Sequence, residues 1–524
     1  MKLGGRAAGR HGGKERHRIF GLMQSQSLKM VAAFGLLLLA RPGEAQSTAV
    51  ISGDRIRADI AVLASDSFGG RKPGTPSERL TTSFIISQMK AAGLQPAARG
   101  WLQPVELETR YERGATLSVE GPKAHQVDSI AVVGRTGEVK LAGVPLAWGG
   151  YAASRASGAA RSVLAGAVVL YRDSDAPGSA QPRPTDGLTR LAALAKAGAA
   201  GAIAVLPDDQ YAHRKAIFTG GVTTIKSDPQ FEVRGIISES AARRMLEATG
   251  MTLADLDAKS AEPGFDGITI PVKVDVQVTT AITSFTSHNV AGMLFGAKEP
   301  DQYVMYTAHW DSFGQCSLGQ ADSTCNGAID NASGTAGLLE LARAFTSGPH
   351  PDRSIIFLAT TAEEMGLAGS RQYSRTPLVP LSRTVAEFNL DVIVLYDRGN
   401  SAGFVGAGLT SADSTFERLV GDQGRKLDTG AMTRMVLRSS DAWSLLMAGV
   451  PSFILSGAIG SGAEGNKAFM KYLSTRYHQP ADEYLADMPM GGAVEEVELL
   501  YAAGMWAAKT STSIRFLPGS AFQR

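Results

Sequence analysis

An α/β architecture is the class the sequence predicts: a mixed, largely parallel sheet with helices on both faces, plus a smaller inserted α/β unit. Three observations predict it. Residues 270–515 alternate short apolar runs with helix-length segments, which is the pattern of strand–helix–strand crossovers. Residues 128–265 repeat the alternation on a smaller scale. The chain, at 524 residues, is also longer than a single core usually grows.

Taken in order, the elements begin with a targeting segment. Basic residues run from Lys2 to Lys29, a short apolar core covers 30–40, and Gly43-Glu44-Ala45 supplies small residues for cleavage. That core is too short to span a bilayer, so 1–45 reads as a signal peptide removed near Ala45. Initiation at Met23 or Met30 would shorten the basic lead-in. The expected product is exported, periplasmic or secreted, with no stable membrane anchor. Residues 46–127 open the larger unit. Within them 80–94 carries helical apolar spacing that ends at Gly93 and Pro96, after a Gly- and Pro-rich loop at 65–75.

In the inserted unit, 163–171 and 202–206 read as buried strands and 188–196 as a helix stopped by Gly198. It holds no clustered His or Cys, so it is expected to be a lid or an interaction module. In the third region, 266–524, strands are expected at 302–308, 355–361, 385–390 and 452–455, and a helix at 333–345. Sites in such sheets lie at the carboxyl ends of the strands. Lys plus Arg number 52 against 50 for Asp plus Glu, a balance that gives no electrostatic case for nucleic acid.

The acids converge at those strand ends. Glu363 and Glu364 directly follow the 355–361 strand, and adjacent carboxylates can give one oxygen donor to a metal and keep the other as a base. His309 and Asp311 follow the 302–308 strand, Asp330 begins the next helix, Asp391 ends the 385–390 strand, and His478 lies on a loop. Any one has an ordinary alternative: a helix-start acid, an N-cap, a turn acid, a surface histidine. Five such placements in one α/β unit favour a joint role, since two histidines and three carboxylates can hold two divalent ions about 3.5–4 Å apart bridged by one carboxylate. Zinc suits this donor mix, and manganese or cobalt would also fit it. Asp311 is placed to fix the His309 tautomer, and Asp482 to do likewise for His478. The remaining six histidines lie in the leader or in polar loops.

Cys316 and Cys325 share one Gly-rich loop. Export favours a disulfide between them over a thiolate metal pair or two free thiols. A competing pattern is Gly399-x-Ser401-x-Gly403, which with Asp441 and His478 follows serine-hydrolase order. The Gly-rich stretch after it is not the helix such an elbow requires.

The segments His309-x-Asp311, 327–334 around Asp330, 361–370 around Glu363-Glu364, Asn389-Leu390-Asp391 and 477–482 together resemble the M28 metallopeptidases. That family comprises co-catalytic zinc aminopeptidases and glutamate carboxypeptidase relatives. Residues 128–265 are similar to the protease-associated (PA) domain inserted in many of them. The resemblance implies a zinc exopeptidase fold, two zinc ions and peptide substrates. It implies His309 and Asp391 on one zinc, Glu364 and His478 on the other, and Asp330 between them. It also implies Glu363 as general base and Tyr477 as an oxyanion or substrate contact. An aminopeptidase is the first expectation; a carboxypeptidase or dipeptidase would need a pocket cation such as Arg434 or Arg438, and a non-catalytic relative would be expected to have lost ligands. Two departures, Ala442 after Ser440-Asp441 and Ser312 after Asp311 where many relatives have His, fall outside the implied ligand set.

Overall fold

The computed structural model describes residues 50–523 apart from 122–123, 152–161, 176–186, 317–321, 400, 431–435 and 460–463. The expected signal peptide and Arg434 lie outside the described residues. Among the described residues no helix is long and apolar enough to cross a membrane.

The larger sheet is built on Arg353–Thr360, all eight of whose residues are buried. Such an uninterrupted apolar run suits a strand covered on both faces. It pairs in parallel with Glu299–His309, which pairs in parallel with Thr384–Asn389 and so with Ser452–Ser456. Ser401–Val405 joins the far side of Ser452–Ser456 antiparallel. Along Glu299–His309 the side chains divide by period two. Val304, Tyr306 and Ala308 pack with Leu338, Leu341 and Phe345 of the Gly334–Ser347 helix and with Leu500 of Gly491–Ala507. Met305 faces the other way, against Tyr373 and Leu445 of the Ala368–Arg375 and Asp441–Met447 helices. Helices therefore cover both faces.

The smaller sheet is also largely parallel. Glu138–Trp148, Val168–Arg172, Gly201–Leu206 and Val233–Ser238 lie side by side, and Ile130–Gly134 closes the edge antiparallel. The expected strand at 163–171 starts later, at Val168, because Gly166 takes the left-handed conformation (φ 72°) and turns the chain first. The 188–196 helix is observed as Gly187–Lys196, and the 80–94 helix as Pro76–Ala91, with proline in its first turn.

One feature was absent from the sequence reading. Leu102–Val119 and Ile268–Leu294 form a long antiparallel ribbon, paired from Leu102↔Val290 to Val119↔Val274. The second strand pairs with Glu138–Trp148 near its start and with Arg353–Thr360 near its end, so it joins the larger and smaller parts into one continuous sheet. Burial alternates along the start of Leu102–Val119, a period-two signal that sequence inspection could have found. His288, expected in a polar loop, lies in this ribbon and contacts Glu78 Oε1 through Nδ1 at 2.9 Å. His213 lies in the Asp208–Thr219 helix.

Candidate metal centre

The strand ends deliver the acids as expected. Nε2 of His309 lies 3.2 Å from Asp330 Oδ1 and 3.5 Å from Asp391 Oδ1. Nε2 of His478 lies 3.4 Å from Asp330 Oδ2 and 3.1 Å from Glu364 Oε2. Asp330 thus turns one oxygen to each histidine. Two groups result, His309/Asp330/Asp391 and Asp330/Glu364/His478, within each of which the donor atoms lie within 4.8 Å of one another.

Each donor is held by neighbouring backbone. Asp330 has φ −110° and ψ 97°, so it precedes the helix, which starts at Gly334, rather than beginning it; a cis peptide joins it to Asn331. Asn331 ties this segment to Asp391: its Nδ2 donates to Leu390 O at 3.0 Å and its Oδ1 accepts from Gly334 N–H at 2.8 Å. A Cβ on Gly334 would sit 2.2 Å from that Oδ1, so the position requires glycine. Thr335 Oγ1 donates to the His309 carbonyl at 2.9 Å. After Thr360 the chain turns at Ala362, with φ 52°, into Glu363 and Glu364.

Of the two acids expected to orient the histidines, Asp311 takes on a second target and Asp482 is corrected to a different one. His309 Nδ1 lies nearer the main-chain oxygen of Asp311 (3.2 Å) than its carboxylate (3.7 Å), because the carboxylate turns to accept the Glu363 N–H at 3.0 Å. Asp311 therefore orients the turn of the acids as well as the ring. Asp482 does not reach the His478 ring as its partner. Its oxygens accept from the N–H groups of Ile329 (3.1 Å) and Asp330 (3.0 Å) and from Tyr472 O–H (2.8 Å), which fixes the Asp330 loop.

Electrostatics follow from crowding. Burial opposes charge on His309, but Glu363, Asp391 and Asp330 outweigh it and hold its pKa well above the ordinary value. Burial likewise opposes charge on His478, yet Asp330 and Glu364 raise it to about 10. Asp330 is opposed by burial and held far below the carboxylate range by both imidazoles. Glu364 goes the other way, pushed up to about 8 by burial and Asp330. Burial and the neighbouring carboxylates push Glu363 well up, while burial raises Asp391 and takes Asp311 to about 6. Glu364 Oε1 and Asp391 Oδ1 are buried with no hydrogen-bond partner. Imidazole nitrogens beside buried carboxylate oxygens left without partners are a donor set for zinc-like ions, so the residues fit the expected metals.

Tyr477 stacks on His478, ring centroids 3.6 Å apart, and Phe313 lies 4.5 Å from the same imidazole. Burial and Asp330 drive the Tyr477 phenol far up. Arg71, in the segment expected as a plain loop, was missed. It is fully buried and donates to four carbonyls, of Trp310 (2.8 Å), Leu63 (2.9 Å), Asn326 (2.5 Å) and Gly327 (2.8 Å). It sets a cation behind the acids without forming an ion pair with any of them. A buried guanidinium spent wholly on main-chain oxygens has no local sequence signature. Cys316 and Cys325 are disulfide-bonded, Cα atoms 5.7 Å apart.

The serine pattern is not assembled. Ser401 opens a strand instead of following one into a helix. His478 Nε2 faces Asp330 and Glu364, and Asp441 is bonded to Thr360 Oγ1.

A largely parallel α/β sheet with a paired carboxylate–imidazole centre at its strand ends is what these residues define. Residues 289–500 match the model for Peptidase family M28. Aminopeptidase NAALADL1 of Mus musculus is 41% identical over 128 residues, 23% of this chain and 16% of that protein. The probable glutamate carboxypeptidase VP8 of Zea mays is 25% identical over 448 residues, 72% of this chain and 59% of that one. The chain thus spans less than two thirds of either relative. Among solved structures, an aminopeptidase from Aneurinibacillus sp. strain AM-1 shares the fold, with TM-score 0.53 and 20% identity over 88% of this chain and 94% of that one.

Proposed function

We propose that the protein is an exported di-zinc exopeptidase, an aminopeptidase that removes N-terminal residues from peptides. The observation that carries this reading is Asp330, which offers one oxygen to each of two three-residue donor groups while Glu363 stands beside them. His309 and Asp391 would hold one ion, Glu364 and His478 the other, and Asp330 both. When bound, the ions polarise the scissile carbonyl and acidify the attacking water.

The rest belongs to the chain. Glu363 takes the proton from the water as it attacks and returns it to the departing amine; its raised pKa suits a group that must both accept and donate. Asp311 holds Glu363 by its N–H, and Asp482 holds Asp330 by its N–H. Tyr477, stacked on His478, is the candidate to hydrogen-bond the developing oxyanion. Residues 128–265 are taken as a PA-like insertion that contacts substrate or a partner protein. A carboxypeptidase reading gains nothing from Arg438, whose guanidinium is engaged by Asp175 at 3.1 Å and lies over Trp443.

The test is a panel of aminoacyl and carboxy-terminal chromogenic peptides with and without chelator. Hydrolysis of the aminoacyl substrates alone, abolished by chelator and restored by zinc, is expected. Chelator-resistant turnover would refute the metal mechanism, and cleavage only of carboxy-terminal substrates would refute the aminopeptidase assignment.

A further inference from the structure

The turn bearing Glu363 and Glu364 is braced from outside the larger sheet. Glu363 O accepts the N–H groups of Gly366 (2.9 Å) and Leu367 (2.8 Å), and the chain then enters the Ala368–Arg375 helix. Two arginines of that helix reach the inserted unit. Nη2 of Arg371 and Nη2 of Arg375 both donate to Asp228 Oδ1, the latter at 2.8 Å. Nη1 of Arg371 returns to its own turn, donating to Gly366 O at 2.8 Å. One guanidinium therefore links the Glu363 turn directly to Asp228.

Asp228 is built to hold that position. Its side chain is 1% exposed, and its Oδ2 accepts the Ile225 N–H at 3.0 Å. Burial opposes its charge, but the two arginines hold its carboxyl below the usual range. An apolar contact runs alongside: Ile225, with Val105 and Leu107 of the ribbon, is buried against Ala362, just before the two acids, and Ala368, where the following helix starts. A pair buried this deeply differs from a surface bridge, because removing one partner leaves an uncompensated charge.

We propose that Asp228 is a positioning residue through which the inserted unit, by way of Arg371, fixes the turn that aims Glu363. The proposal rests on Glu363 being the base. It assigns the inserted unit a part in turnover itself, beyond contact with substrate or partner.

The test uses the full zinc-loaded chain and an aminoacyl p-nitroanilide. Asp228→Asn is expected to lower kcat roughly 10- to 100-fold, as small misplacements of a reacting group do. KM and bound zinc should stay within about twofold of wild type, a split that general destabilisation would not give. On a Glu363→Ala background the same change should alter the residual rate by less than about twofold, since that rate no longer passes through the aimed group. Should Asp228→Asn fail to fold, Arg375→Ala removes only the more exposed arm and is expected to lower kcat about threefold with KM unchanged. A folded Asp228→Asn enzyme with wild-type kcat, or an equal loss on both backgrounds, would overturn the positioning role. Near-normal turnover of Glu363→Ala alone would instead overturn the base assignment beneath it.

Discussion

The larger and smaller parts of the sheet share an architecture and treat charge in opposite ways. Around the smaller part, residues 130–238, partly buried acids meet arginines. Arg172 spans Asp257 (2.7 Å) and Glu239 (2.6 Å), and Arg190 reaches Asp175 (2.7 Å) and Asp173 (3.5 Å). Planar guanidinium forks satisfy carboxylates in place, which makes such clusters structural. At the strand ends of the larger sheet the carboxylates meet one another and two imidazoles, while the nearest buried arginine, Arg71, donates only to carbonyls. Acids without guanidinium partners hold oxygens for a ligand. Partner chemistry, more than fold, separates a metal centre from a scaffold here.

The sharpest way to break that contrast is Asp330→Ala, which removes the one donor common to both groups. Turnover is expected to fall by at least about 10³-fold, checked by steady-state assay at saturating zinc. Glu363→Ala should lose about 10²- to 10⁴-fold in kcat while retaining zinc by elemental analysis, because a base and not a ligand is removed. Asp482→Ala removes the acceptor behind Asp330 and should weaken zinc binding about 10- to 100-fold in a competition titration. In the smaller part the expected effect changes kind. Arg172→Ala should cost about 3 kcal/mol in stability, read from denaturant unfolding, with kcat nearly unchanged below the transition. Smallest of all, Ser401→Ala should leave kcat/KM within about twofold of wild type, since no triad forms around it.

The legibility of these parts differed for a physical reason. His309, Glu363, Glu364 and Asp391 sit directly after apolar strands, so local pattern and the strand-end rule located them together. Asp330 and His478 lie on loops, and only their company with the others marked them. The first ribbon strand was legible in principle by its period-two pattern, but the pairing was not, because Leu102–Val119 and Ile268–Leu294 pair across more than a hundred intervening residues. Arg71 and Asn331 act through main-chain groups that any sequence possesses. The hydrogen-bond roles of Asp311 and Asp482 were misdirected because their targets are backbone N–H groups, which spacing from a histidine does not reveal.

Metal stoichiometry tests the central claim most directly. Apo protein titrated with zinc should bind two ions per chain. His309→Ala and His478→Ala should each lose one, and Asp330→Ala should weaken both. A wild-type chain that binds a single ion, or an Asp330→Ala chain that binds two with unchanged affinity, would contradict a centre built around a shared carboxylate.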